Sequence, residues 1–145
     1  MSDENSAQQV VLVGGCFDVL HYGHIQFLKA AKARGNFLIV ALESDEFIKT
    51  HKHRIPVHTQ AERKIILEAL RYVDKVIPLP FFATTEEYKK LVQTVHPTVI
   101  AITEQDPQED NKRQMAADIG AELAVVTPLI KPFSTTHILT SDHNN

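Results

Sequence analysis

Two rhythms alternate along the chain. Short apolar runs, rich in valine and isoleucine, recur at Val10–Val13, Phe37–Leu42, Lys75–Leu79, Thr98–Ile102 and Glu122–Thr127. Most lack the period-two alternation of a half-solvated strand, so they are expected to be parallel strands buried on both faces. Between them, apolar residues fall at helical spacing. Ile25, Leu28, Ala31 and Ala33 form a stripe that stops near Gly35. In "TQAERKIILEALRYV" the stripe is Ile65, Ile66, Ala69, Leu70 and Val73, with Thr59 as N-cap and Glu62 completing a capping box. Tyr88–Val95 and Lys112–Ile119 are the next two helices, the latter closed by Gly120. A short fifth helix is expected from Ser134.

Strand–helix alternation of this kind predicts an α/β protein: a Rossmann-like, doubly wound, five-stranded parallel sheet with right-handed crossovers. Such sheets bind ligands beyond the carboxyl ends of their strands. The pattern spans residues 10–140 without a linker or repeat, so one domain is expected there, with flexible ends at 1–9 and 141–145.

Composition narrows the classes. A chain of 145 residues, 43% hydrophobic and 23% charged, can bury an ordinary core. Lys+Arg 15 against Asp+Glu 18 gives a net charge of −3, which argues against a nucleic-acid partner but allows a local basic pocket for a small anion. Cys16 is the single cysteine, so neither an intrachain disulfide nor a cysteine zinc cluster is expected. The polar, acidic start "MSDENSAQQ" is unlike a signal peptide, and no apolar run approaches membrane-spanning length. A soluble cytoplasmic protein with no membrane partner is the expectation.

The first strand-to-helix turn reads "GGCFDVLHYGH", Gly14 to His24. It lacks both G-x-G-x-x-G and G-K-[ST], so it is neither a dinucleotide fingerprint nor a P-loop. Gly14 and Gly15 permit close backbone approach, Asp18 follows, and His21 and His24 are spaced to share one face of a helix. A helix starting near Tyr22 points free amides and a partial positive charge at a bound anion, and Gly23 leaves room for a phosphate. A histidine at a helix start is commonly a cap, but this pair behind a glycine turn points to a nucleoside triphosphate. Nothing beside Cys16 in sequence suggests a lowered pKa, so its thiol reads as packing.

The H-x-G-H element after a G-x-F-D turn resembles the signature of the nucleotidyltransferase superfamily, and within it the cytidylyltransferase-like group, nearest to glycerol-3-phosphate cytidylyltransferases and heptose-phosphate adenylyltransferases. The likeness runs from about Val10 to Leu139 and takes in "THKHRIPV", "ERKIILEALRYVDKVIP" and "PFSTTHI" in the same order. It implies catalytic roles for His21, His24 and Lys52. It also implies nucleotide contacts from Gly14, Gly15, Cys16, Phe17, Asp18, Arg54, Arg71, Ser134, Thr135 and Thr136. Mg²⁺ would arrive with the triphosphate, and the chain would form a homodimer.

The bland accounts are a solvated basic loop carrying Lys49, Lys52, Arg54 and Arg63, an i,i+3 pair between Arg71 and Asp74, and an ordinary N-cap at Ser134. His51, His53 and His58 lack a carboxylate or cysteine at ligand spacing and are not expected to bind metal. One segment departs from the family pattern. Where relatives show a Gly-Asp stretch after the fourth strand, this chain has "AITEQDPQED", with Thr103, Glu104, Gln105 and Asp106 and no glycine. Leu129 follows Pro128 where the pattern has arginine, and Lys131 offers a point charge in place of a planar fork. Three functions stand open: transfer from CTP, the favoured donor, to a small phosphorylated acceptor such as glycerol 3-phosphate; transfer from ATP to a heptose phosphate or a coenzyme precursor such as FMN; and nucleotide binding by a regulatory protein with weak catalysis.

Overall fold

The computed structural model describes residues 8–128. The chain runs β1 (Val10–Gly15), α1 (Tyr22–Lys32), β2 (Phe37–Leu42), α2 (Asp45–His51), α3 (Gln60–Glu68), β3 (Lys75–Pro78), α4 (Thr85–Val95), β4 (Val99–Thr103), α5 (Glu109–Asp118) and β5 (Glu122–Thr127). All five strands are parallel, in the order β3-β2-β1-β4-β5. The α/β expectation holds in class, strand number and direction.

Burial on both faces explains why the strands read as continuous apolar runs. On one face Val11, Val13, Leu38 and Val40 pack with Phe27, Leu28 and Ala31 of α1 and Leu67 of α3. On the other, Leu12, Ile39, Ala41 and Ile100 pack with Val92 of α4 and Met115 and Ala116 of α5. Burying one such aliphatic side chain is worth about 1.5–3 kcal/mol. Pro78 is tolerated because β3 is an edge strand. The side chain of Gln60 joins the ends of β2 and β3, donating to the carbonyls of Leu42 (3.0 Å) and Leu79 (2.8 Å).

Strand β1 is central, with β2 on one side and β4 on the other. The chain builds outward through β2 and β3, then returns across β1 to form β4. The loops after β1 and β4 therefore leave in opposite directions and open a crevice, the point at which ligands bind in doubly wound sheets.

Several local expectations are corrected. Gly14 and Gly15 finish β1, paired with Ala41 and Leu42, and are not part of the turn. Lys49–His51, expected at the start of a loop, end a helix, Asp45–His51, whose N-cap Ser44 accepts from the amide of Phe47 at 3.1 Å. On α3 the buried residues are Arg63 and Leu67, whereas Ile65 is 67% exposed. Ala33 is exposed, and Phe27 takes its place in the core. Asp74 pairs with Lys32 at 2.8 Å and accepts from the amide of Leu38 at 2.8 Å; it ties α1 to β2 and does not pair with Arg71. The capping box of α3 and the Gly120 terminus of α5, at φ 73°, are as expected. The helix expected from Ser134 lies outside the described residues.

Candidate active site

A cleft of about 620 Å³ opens at the carboxyl ends of the strands, within the size range of small-ligand sites. Its floor includes Gly14, Gly15, Ala41 and Ile102, and its walls carry His21, His24, Lys52, Arg54, Tyr88 and Lys112.

The turn from β1 to α1 is held in an uncommon backbone conformation. Phe17 (φ 47°) and Val19 (φ 62°) both lie in the left-handed region, which costs a β-branched residue such as valine most. The buried Phe17 ring folds back over β1. A Cβ on Gly15 would approach the Phe17 ring to 2.9 Å, so a side chain there would force that buried ring to shift; at Gly14 the nearest contact, the Ala41 carbonyl at 3.7 Å, is ordinary.

His21 is the N-cap of α1, and its Nδ1 accepts from the amide of Gly23 at 3.1 Å. His24 returns the bond: its Nδ1 accepts from the amide of His21 at 3.2 Å. The two residues thus form a capping box of imidazoles, with ring centroids 4.0 Å apart. Because each Nδ1 is an acceptor, the neutral rings carry their proton on Nε2. Burial pushes the His24 pKa down to about 4, with a further push from His21, and burial also lowers that of His21. Both rings are therefore neutral donors at neutral pH. The cap engages Nδ1 of each ring and not the protonated Nε2.

Asp18 is buried and receives three bonds: Arg54 Nη1 at 2.9 Å, the amide of Val57 at 2.7 Å and that of His58 at 3.0 Å. Burial alone would raise its pKa, but these donors outweigh it and hold the carboxyl below its ordinary value. Asp18 thus folds the loop between α2 and α3 against the turn, bringing Arg54 to the cleft with its Nε unpartnered among the described residues. Lys52, the C-cap of α2, is exposed at the cleft mouth. Cys16 also lines the cleft, where burial, against the pull of Lys52, pushes its thiol up to about 11; it is no nucleophile at neutral pH.

Arg63 was read as part of a basic loop but is wholly buried. Its Nε donates to the carbonyl of His58 (3.1 Å), Nη1 to those of Cys16 (2.8 Å) and Glu43 (2.9 Å), and Nη2 to Asp45 Oδ1 (2.6 Å). One guanidinium thereby fixes the turn after β1, the end of β2, the start of α2 and the loop before α3. Arg71 lies elsewhere: it is exposed, bonded to the hydroxyl of Tyr72 at 3.2 Å, and does not line the cleft. Ser134, Thr135 and Thr136 lie outside the described residues.

Four cleft residues were not anticipated as a group. Glu43, just past β2, accepts from the hydroxyl of Tyr88 of α4 at 2.8 Å. Across the cleft Asp106 accepts from Lys112 of α5 at 2.7 Å and from the amide of Gln108 at 2.7 Å, which closes the loop that departs from the family pattern. Burial raises the Glu43 pKa, despite the Tyr88 bond and the nearby Lys112. Burial and the bond to Glu43 raise that of Tyr88. Among the described residues, no group of three or more His, Cys, Asp or Glu side chains is placed to hold a metal ion, and no helix is long and apolar enough to cross a membrane.

The chain is similar to several known proteins along most of its length. An FAD synthase of Pyrococcus abyssi is 38% identical over 117 residues, covering 80% of this chain and 77% of that protein. Glycerol-3-phosphate cytidylyltransferase of Bacillus subtilis is 48% identical over 68 residues, covering 47% of this chain and 52% of the relative. The bifunctional protein HldE of Campylobacter fetus is 30% identical over 94% of this chain and 28% of its own length. Among solved structures, a lipopolysaccharide core biosynthesis protein from Thermoplasma volcanium superposes with a TM-score of 0.69 at 25% identity, over 85% of this chain and 98% of that one. The cytidylyltransferase-like profile matches residues 12–139. The chain belongs to the cytidylyltransferase-like family of nucleotidyltransferase enzymes.

Proposed function

We propose that the cleft transfers a nucleotidyl group from a nucleoside triphosphate to a small phosphorylated acceptor, releasing pyrophosphate. The observation that carries this reading is the reciprocal imidazole cap, which fixes two neutral N–H donors at one edge of the crevice. An oxygen of the acceptor phosphate attacks the α-phosphorus; its new P–O bond forms as the bond to the departing pyrophosphate breaks. Such transfers depend on positioning and charge stabilisation, with little covalent work for the protein. The Nε2–H groups of His21 and His24 donate to phosphate oxygens as charge accumulates. Lys52 neutralises the polyphosphate from the mouth, and Arg54 adds the donor that Asp18 leaves free.

Mg²⁺ belongs to this reading as part of the triphosphate substrate. The described carboxylates do not form a ready site for it, since Asp18 is bonded to Arg54 and two amides, and Asp106 to Lys112. No step is assigned to it. A homodimer in the cytoplasm completes the reading, supported by the family resemblance, the single cysteine and the exposed Ile65 of α3, and is tested by the molar mass in solution.

CTP is the donor that the sequence motifs favour. A second reading, ATP, is favoured by the FAD synthase match, which spans 80% of the chain against 47% for the cytidylyltransferase. Pyrophosphate release from CTP and ATP, each with glycerol 3-phosphate, a heptose phosphate and FMN, tests both. Release from one nucleotide with one acceptor supports the reading and names the donor. Tight nucleotide binding with no release from any pair overturns it in favour of a regulatory role.

A further inference from the structure

Glu43 is unusual among the polar groups of the cleft. It is only 8% exposed, yet Oε1 has no hydrogen-bond partner among the described residues, while Oε2 accepts from Tyr88. A buried carboxylate oxygen without a donor is costly, and native sites keep such atoms where a ligand completes them. The residue lines the cleft beside Phe47, Leu79, Phe82 and Tyr88. The terminal torsion of a glutamate is soft, so a turn of the carboxylate presents one oxygen to the cleft while the other keeps Tyr88.

Its place in the fold says which ligand it meets. The nucleotide of a doubly wound sheet occupies the crevice at the switch point, here between β1 and β4. Glu43 stands on the opposite side of β1, at the end of β2, and Tyr88 reaches it from the helix that follows β3. That side of the histidine pair is left for the second substrate. On the reading that the protein is a nucleotidyltransferase, we propose that Glu43, positioned by Tyr88, selects acceptors that carry a free hydroxyl in addition to their phosphate. The class is that of polyol and sugar phosphates, as opposed to alkyl or amino-alkyl phosphates.

A hydroxyl fits for two reasons. It both donates and accepts, so it can satisfy a carboxylate or both oxygens of a carboxylic acid, whereas an ammonium only donates and gains an ion pair only from the carboxylate. The groups facing Glu43 are Lys112 from α5, Arg63 from α3 and the His51 ring from α2; Lys112 and Arg63 already supply positive charge and disfavour a further cation. Tyr88, whose ring meets Phe82 edge-on at 4.9 Å, is locked in place and holds the carboxylate against an apolar wall.

The test compares acceptors on the whole chain with the donor nucleotide saturating. Initial rates of pyrophosphate release are measured with glycerol 3-phosphate, a sugar phosphate, propyl phosphate and phosphoethanolamine. The expected result is a kcat/KM about 10- to 100-fold higher for hydroxylated acceptors, the scale of one hydrogen bond to a charged group. In Glu43→Met, which removes both oxygens but keeps a long side chain, that preference falls to about one; Glu43→Gln, the closer isostere, guards against loss of fold. The thermal shift produced by the nucleotide alone is expected to persist in both variants, separating acceptor reading from a general defect. Equal kcat/KM for propyl phosphate and glycerol 3-phosphate, a preference for phosphoethanolamine, or a hydroxyl preference that survives in Glu43→Met overturns the inference. Absence of pyrophosphate from every acceptor overturns the transferase reading itself, and this inference with it.

Discussion

At the histidine end of the cleft, the ligand-facing groups come from one contiguous stretch, Gly14 to His24, and are fixed by backbone bonds inside it. At the Glu43 end they come from the end of β2 and from α4, and the side chains hold one another across a long sequence separation. The first end presents neutral donors beside the exposed Lys52, with Asp18 engaged by Arg54; the second presents a buried carboxylate bonded to a tyrosine hydroxyl. On the proposed function, a phosphate-binding end is thus built from neighbouring residues and can be written into a short motif. The end proposed to read the other substrate is assembled from the scaffold and is free to vary around that motif.

Arg63 joins the two ends, bonding the carbonyls of both Cys16 and Glu43, and its removal is the severest way to break the contrast. Arg63→Met leaves those carbonyls and Asp45 without a partner. It is expected to cost about 3–5 kcal/mol in denaturant unfolding, as for other buried charges stripped from their partners, and to abolish nucleotide-induced stabilisation. Normal unfolding would show that the ends are built independently.

His24→Ala strikes the local end alone. Losing one preorganised donor is expected to slow turnover about a hundredfold or more, roughly 2.7–4 kcal/mol of transition-state stabilisation. The lost half of the cap adds about 1 kcal/mol of destabilisation. Wild-type turnover of pyrophosphate release would remove the imidazole pair from the mechanism. Lys52→Ala, at an exposed position, is expected to weaken apparent triphosphate affinity about tenfold with an unchanged melting temperature.

The pH dependence sharpens the contrast further. The folded His24 has a pKa near 4, below its ordinary 6.5, so between these values the unfolded chain binds the extra proton. Stability is therefore full above pH 6.5 and declines as pH falls toward 4. Melting curves across this window should slope less in His24→Ala. The smallest effect is expected from Arg71→Ala, whose side chain lies on the surface against Tyr72: the nucleotide-induced thermal shift should stay as in the wild type. Its loss would mean that Arg71 reaches the nucleotide by a route other than its own cleft.

How much of this was legible follows from the same contrast. The strands were readable because burial on both faces leaves uninterrupted apolar runs, and α1 because its cap is also a motif. Helix α2 was not, since Ile48 is its one buried residue and a single anchor gives no periodicity; Ser44 before Asp45 was the available signal. Arg63 was misread because an arginine on the core face of a helix scores as polar, although its spacing four before Leu67 put it on that face. Glu43, Tyr88, Asp106 and Lys112 carry no local signature, and only the fold brings them to one cleft. Phe17 and Val19 show the reverse: their left-handed backbone lies inside the legible motif, yet nothing in their side chains announces it.

The reciprocal cap has a spectroscopic consequence. With both Nδ1 atoms engaged by backbone amides, the free protein should show pyridine-like ¹⁵N resonances for Nδ1 and pyrrole-like ones for Nε2 in His21 and His24 at neutral pH. Arrival of a polyphosphate should move the Nε2 signals while the Nδ1 signals stay near their places. The two rings are therefore built-in reporters of an occupied cleft, readable without a label on the ligand.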